Sequence, residues 1–232
     1  SFSEQGIGLS TEYDLISVLW LDRPAKPKGK AFIHEVEFAG KSRTRKIEDL
    51  RKEMKKAGAN RYLLTSLDDI AWLLNIRGTD VPNNPVLNCS VIINLKDCVL
   101  YLEDKKITQE VRAELKNDGI TIQRPEALED FLTTLSENDG IMLDPDMTNY
   151  RLYNSISKNC RKILAPNITT KKKAIKNRVE IQNLEKCQVN DGIAMVRFIK
   201  WLKSNLESGK ITEISAAERL EAFRKKDALF NQ

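Results

Sequence analysis

A chain of 232 residues, 41% apolar and 31% charged, is long enough to bury a sizeable core and too apolar for a disordered chain. No apolar run approaches the 20 or so residues that would span a bilayer. The net charge of +5 comes from 38 basic residues interleaved with 33 acidic ones, not from the single-sign block that binds nucleic acid, so neither a membrane nor a nucleic acid is expected as a partner.

Ser1 to Ser10 lacks the basic and apolar regions of a secretory signal, and the start reads as internal. Tyr13, Leu15, Ile16, Val18, Leu19 and Trp20 are apolar enough to be expected to dock on something. The prolines and glycine of Leu21 to Lys30 then read as a linker. Phe32 to Phe38 alternates in character and is expected as a strand, with His34, the one histidine of the chain, on a strand face. Ile47, Leu50, Met54 and Ala57 recur at helical spacing, so Ser42 to Ala57 is an amphipathic helix and Gly58 its C′ residue. Arg61 to Thr65 reads as a buried strand. Ser66 and Asp69 have the spacing of a capping box for a helix reaching Leu74.

Asn75 to Pro85 crowds glycine, prolines, asparagines and the pair Arg77 and Asp80 into one loop, of the kind that carries either function or rigid packing. Ser90 to Leu95 and Cys98 to Leu102, separated by Lys96-Asp97, form a β-hairpin. Helix and strand then alternate: Thr108 to Asn117 helical, Ile120 to Gln123 extended, Pro125 to Leu135 helical, Ile141 to Leu143 extended, Met147 to Ser157 helical, Arg161 to Ala165 extended. This order indicates an α/β layer with a mixed sheet. After Pro166 the run Lys171-Lys172-Lys173 reads as a seam open to trypsin. A long helix follows over Arg178 to Leu206, with Gly192 inside it at a cost of about 1 kcal/mol relative to alanine, which points to close packing at that residue. A second helix is expected from Ser215, boxed by Glu218, to about Asp227. Two helices with no sheet of their own read as part of a further domain, and their apolar positions, Ile181, Leu184, Phe198, Ile199, Leu202, Leu220 and Phe223, as an exposed patch.

No catalytic set stands out. Cys89, Cys98, Cys160 and Cys187 form no C-x-x-C and lack neighbouring histidines, so buried free thiols in a reducing compartment are expected rather than zinc or redox chemistry. There is no P-loop and no G-x-G-x-x-G.

Ser66-Leu67-Asp68-Asp69-Ile70-Ala71-Trp72-Leu73-Leu74-Asn75-Ile76-Arg77-Gly78-Thr79-Asp80-Val81-Pro82-Asn83-Asn84-Pro85-Val86 resembles the signature of the middle domain of the three-domain Xaa-Pro aminopeptidases. Trp20-Leu21-Asp22-Arg23-Pro24 resembles the linker into that domain. Lys173-Ala174-Ile175-Lys176-Asn177, Asp191-Gly192, Trp201-Leu202, Thr212 to Ala217 and Phe223-Arg224 resemble the first helices of the family's pita-bread catalytic domain. The resemblance implies an α/β, creatinase N-terminal-like middle domain at 31–170, preceded by the end of a first domain and linker at 1–30 and followed by the start of a truncated pita-bread domain at 171–232. It implies a cytoplasmic, homodimeric parent that removes the residue preceding a proline from peptides, using two divalent ions, commonly manganese. The family's metal ligands lie beyond the position matching Phe230, so no catalytic or metal residue is assigned, and the piece alone is expected to be inactive. Arg77 and Asp80 remain candidates for the substrate cleft, or for bracing the loop by pairing with each other or the backbone. A non-catalytic binding module of the same architecture, as in the histone chaperone FACT, is the alternative reading.

Overall fold

A computed structural model describes residues 3–8, 13–227 and 229–230. An exposed helix α1 (Leu15–Leu19) precedes β1 (Phe32–Ile33), a one-turn helix α2 (Val36–Ala39), α3 (Arg43–Lys56), β2 (Arg61–Leu64), α4 (Leu67–Leu74) and β3 (Ile76–Arg77). The hairpin of β4 (Ser90–Asn94) and β5 (Cys98–Tyr101) leads through α5 (Gln109–Asn117), β6 (Ile120–Gln123), α6 (Ala127–Thr133), β7 (Gly140–Leu143) and α7 (Tyr150–Ser155) to β8 (Arg161–Leu164). Helices α8 (Ile168–Ala174), α9 (Arg178–Asn205) and α10 (Glu213–Arg224) follow.

The apolar runs become a six-stranded mixed sheet in the order β6-β5-β4-β2-β7-β8. Strand β4 runs antiparallel to β2 and β5, while β5/β6, β2/β7 and β7/β8 pair in parallel. Side chains alternate between faces along each strand, and the core divides accordingly. Tyr62, Leu64, Val91, Ile93, Cys98, Leu100 and Met142 pack with Ile47, Leu50 and Met54 of α3, Ile70 and Leu73 of α4, and Val111 and Leu115 of α5. Leu63, Ile92, Tyr101, Ile141 and Leu143 pack on the other side with Leu128 and Leu132 of α6 and Leu152 of α7. The result is the expected α/β layer with a mixed sheet.

Several local expectations are corrected. The Phe32–Phe38 stretch extends for two residues, which pair with β3 (Phe32↔Arg77, Ile33↔Ile76) outside the main sheet. The chain then turns into α2, closed by Gly40 in the left-handed region (φ 66°). His34 therefore lies beyond the strand, its ring stacked on Phe38 at 5.9 Å. Ser66 makes no capping bond at the start of α4. Asp69 is fully buried and accepts from the hydroxyls of Thr169 (3.0 Å) and Thr170 (2.7 Å) instead. The cap of α10 is Thr212, boxed with Ser215, three residues before the expected start. A Cβ on Gly192 would meet open space, so its tight packing is not realised within this chain. Helix α1 buries none of its residues, and Cys187 is exposed, unlike buried Cys98 and Cys160.

The lysine run is not an open seam. It forms the last turn of α8, and Lys173 reaches Asp69 at 2.9 Å, joining the two hydroxyl bonds that pin this helix to α4. The first break in helical structure comes at Ile175–Lys176, between α8 and α9, where both residues are exposed. Exposed, non-helical backbone is what proteases cut. Within 165–180, limited trypsin digestion should therefore cleave after Lys176 before it cleaves after Lys171, Lys172 or Lys173. Mass spectrometry of the early fragments reads the order, and first cleavage in the lysine run would contradict the packing of α8.

Candidate functional site

Helix α4 ends inside the protein. Leu73, Leu74 and Asn75 are buried, and Asn75 adopts the left-handed conformation (φ 50°) that stops the helix. The last carbonyls of a helix lie beyond its own hydrogen-bond ladder; here Ala71 O still accepts the Asn75 N–H, while those of Trp72 and Leu74 need partners from elsewhere. Three cationic side chains supply donors. Arg77 Nη1 donates to Ala71 O (2.6 Å), Lys46 Nζ to Trp72 O (2.8 Å) and Arg43 Nε to Leu74 O (2.7 Å). Positive charge at this end also complements the helix dipole.

The three cations differ in how they are neutralised. Arg43 is clasped by Glu114 (2.7 Å) and Asp118 (2.9 Å) from the end of α5. Lys46 donates its second bond to the neutral Asn75 Oδ1 (2.7 Å) and sits 4.4 Å from the centre of the Trp72 ring. Burial lowers its pKa to about 8; Glu180 opposes this, and Arg77, Lys41 and Arg43 add to it. Arg77 is lowered by burial, against the pull of Asp68 and Glu180. His34 is lowered to about 4, first by burial and then by Arg77 and Lys46, so it is neutral at pH 7.

Asp80 faces away from this cluster. It forms a buried ion pair with Lys106 at 2.5 Å, and its Oδ2 also accepts the Asn88 N–H (2.7 Å). Its Oδ1 is buried without a hydrogen-bond partner. Lys106 O accepts the Ala31 N–H (2.8 Å), so one ion pair ties the incoming linker to the loop after β3. Gly78 is needed in that loop because a Cβ there would lie 2.2 Å from Leu87 Cδ2. Arg77 and Asp80 thus share a loop but bind separate partners, Arg77 the backbone and Asp80 chiefly Lys106.

Lys46, Lys106 and Glu180 were not singled out from the sequence. A signal existed for Lys46: Arg43, Lys46, Ile47, Leu50 and Met54 form the buried face of α3 at helical spacing. Among the described residues no group of three or more His, Cys, Asp or Glu could hold a metal ion. The carboxylates here are also spent on cations and hydroxyls.

Residues 22–180 match the Creatinase/Prolidase N-terminal domain family. The chain belongs to that family. The match ends at Glu180, in the first turn of α9. A probable Xaa-Pro aminopeptidase P of Leptosphaeria maculans is 35% identical over 228 residues, 94% of this chain and 38% of that protein. Aminopeptidase P1 of Arabidopsis thaliana is 27% identical over 263 residues, 93% of this chain and 41% of that protein. Among solved structures, the X-prolyl aminopeptidase of Caenorhabditis elegans, described as a cytosolic enzyme with a di-nuclear active site, superposes on 100% of this chain with a TM-score of 0.90 and 25% identity, using 39% of its own length. An Xaa-Pro dipeptidase of Bacillus anthracis shares the fold over 80% of the chain, with a TM-score of 0.54 and 18% identity. The chain thus spans 38–41% of the length of the aminopeptidases it matches.

Two measurements check this arrangement. Lys106→Met should cost about 3–5 kcal/mol in denaturant unfolding, because it leaves Asp80 charged and buried without its partner. Asp80→Asn combined with Lys106→Met should recover much of that loss. The second measurement is pH dependence. His34 has a folded pKa of about 4 against an ordinary 6.5, so its contribution is complete above pH 6.5 and is lost as pH falls toward 4. His34→Phe should flatten the stability profile between pH 6.5 and 4 relative to the parent, and an unchanged slope would contradict a neutral, half-buried imidazole.

Proposed function

We propose that this chain is the creatinase/prolidase N-terminal-like unit, with the first catalytic-domain helices, of a metal-dependent aminopeptidase that releases the residue preceding a proline at position two of a peptide. The observation that carries this reading is the superposition on the C. elegans X-prolyl aminopeptidase, which covers the sheet and the α9–α10 hairpin together. On this reading the chain divides into the end of a first domain and linker at 1–30, the α/β unit at 31–170 and the start of the catalytic domain at 171–232. The whole protein on this reading is a cytosolic homodimer.

Two divalent ions, manganese by the family resemblance, would lower the pKa of a bridging water and polarise the scissile carbonyl. The described residues of this chain do not fit them, since no cluster of potential ligands is present. The ions would be held by polypeptide outside this chain. Its own residues bury the α4 terminus, fix the loop of Arg77 and Asp80, and project α9 away from the sheet. The reading also accounts for the surface of α9. Ile181, Leu184, Val189, Ile193, Val196 and Ile199 are all exposed. Gly192 falls within the same helical stripe and has open space around it. An apolar stripe of that extent marks a surface meant to be covered, and a glycine within it admits close approach of another backbone.

An assay of the whole protein and of this chain, each purified and supplied with Mn²⁺ and an Xaa-Pro peptide, tests the proposal. Release of the N-terminal residue is expected from the whole protein and not from the chain alone. Metal-dependent turnover by the chain, or a whole protein that binds such peptides without cleaving them, would overturn it.

A further inference from the structure

Helix α9 is held to the α/β layer at one end. Its 28 residues extend about 42 Å at 1.5 Å per residue. Among the described residues, the hydrogen bonds from this helix and its cap to the layer come from Asn177 and Asn183. Asn177 Nδ2 donates to Ala39 O (2.9 Å), and Asn183 Nδ2 to Glu37 O (3.1 Å) and Phe38 O (3.5 Å). All three acceptors belong to α2, the turn inserted between β1 and α3. Gly40, which ends that turn, approaches so closely that a Cβ on it would lie 2.3 Å from Asn177 Oδ1 and 2.8 Å from Val179 Cβ. Further along, α9 bonds to α10 and the residues after it: Arg224 Nε donates to Asp191 (2.6 Å) and Asn190 Nδ2 to Asp227, just past α10 (2.7 Å).

Asn177 serves two elements at once. Its Oδ1 accepts the N–H groups of Val179 (2.9 Å) and Glu180 (3.0 Å), capping α9, while its amide nitrogen grips α2. Aspartate would cap the helix as well, but its carboxylate has no hydrogen-bond donor to offer α2. Behind this contact lies the exposed Ile175–Lys176 break, and α8 before it is fixed to Asp69. A fixed helix, a short break and a clasped helix make a joint whose angle depends on the clasp.

We propose that Gly40, Asn177 and Asn183 form a clasp that sets the direction of α9 relative to the sheet, and that they are thereby positioning residues for the catalytic domain. The second half of this statement rests on the aminopeptidase reading; the first does not. Leverage gives the clasp its importance. A 10° tilt, on the order of a small hinge movement, displaces the far end of a 42 Å helix by roughly 7 Å, whereas catalytic groups tolerate errors of about 1 Å.

The test is a distance measurement between nitroxides on Lys116→Cys, at the end of α5, and Lys200→Cys, far along α9, with Cys89 and Cys187 replaced by serine. A single narrow distance distribution is expected for the parent chain. Asn177→Asp with Asn183→Ala keeps a cap but removes both donors, and should turn that distribution broad or bimodal while helix content and unfolding midpoint hold. Gly40→Ala should do the same through the closed contact. Asn190→Ala, which touches only the bond to Asp227, should leave it narrow. A narrow distribution in the Asn177/Asn183 variant, or equal broadening in Asn190→Ala, overturns the clasp. In the whole protein the double variant should lower kcat with metal content unchanged. Broadened distances with unaltered turnover would refute the positioning role and leave the clasp, while an inactive parent protein would refute the aminopeptidase reading alone.

Discussion

The buried end of α4 is the constraint around which this part of the protein is arranged. A helix that stops inside a core leaves buried carbonyls beyond its own hydrogen-bond ladder, here those of Trp72 and Leu74, and each of these left unpaired would cost about 1–3 kcal/mol. Arg43 and Lys46 from α3 and Arg77 from β3 converge on the carbonyls of that end. That convergence dictates much else. Strand β3 must leave the helix in a direction that returns its arginine, so it pairs with β1 rather than joining the main sheet. Arg43 in turn draws Glu114 and Asp118 from the end of α5. Burial, and after it the charges of Arg77 and Lys46, keep His34 neutral at pH 7.

Charge is handled differently before and after β3. At Asp80 a full ion pair is buried; at Lys46 the cation is buried on neutral acceptors and an aromatic face. A buried pair is held by mutual attraction and is costly to halve, while a lysine on neutral partners keeps its proton less firmly. The chain is therefore anchored by a charge pair after β3 and by a softer contact at the α4 terminus before it. Glu180, whose charge acts on both Lys46 and Arg77, brings the start of α9 into the same electrostatic neighbourhood as the α4 terminus.

Where structure depended on short-range pattern, it was legible. The central strands of the main sheet are short apolar runs buried on both faces, and α3 is written in Ile47, Leu50 and Met54 with Gly58 behind it. The α/β architecture followed from their order. Errors arose where a long-range partner overrode a local signal. Asp69 has capping-box spacing, yet the hydroxyls of Thr169 and Thr170, a hundred residues away, claim it. Phe32 to Phe38 alternates like a strand, but Gly40 and the contact with Asn177 bend it into a turn. Arg77 and Asp80 stood out because their loop is rich in glycine and proline, which says nothing about Ala71 O or Lys106. Lysines 46 and 106 were invisible as site residues because a charged side chain in isolation reads as solvent-facing.

The distribution of apolar surface separates the chain into two mechanical parts. The sheet and its covering helices bury their large side chains almost completely, whereas α9 buries only Ala194 and α10 buries none. At about 25 cal/mol per Å² of apolar area, the six exposed aliphatic side chains of the α9 stripe represent several kcal/mol of burial not realised in this chain. Such a helix contributes little to the stability of the layer it leaves. The layer also has little hold over it beyond the contact with α2. Stability is thus concentrated in the α/β unit, and the geometry of the arm is decided by a few polar contacts at its base. An arrangement of that kind lets a rigid scaffold fix the starting angle of a second unit while leaving most of the arm's apolar surface free for that unit to bury.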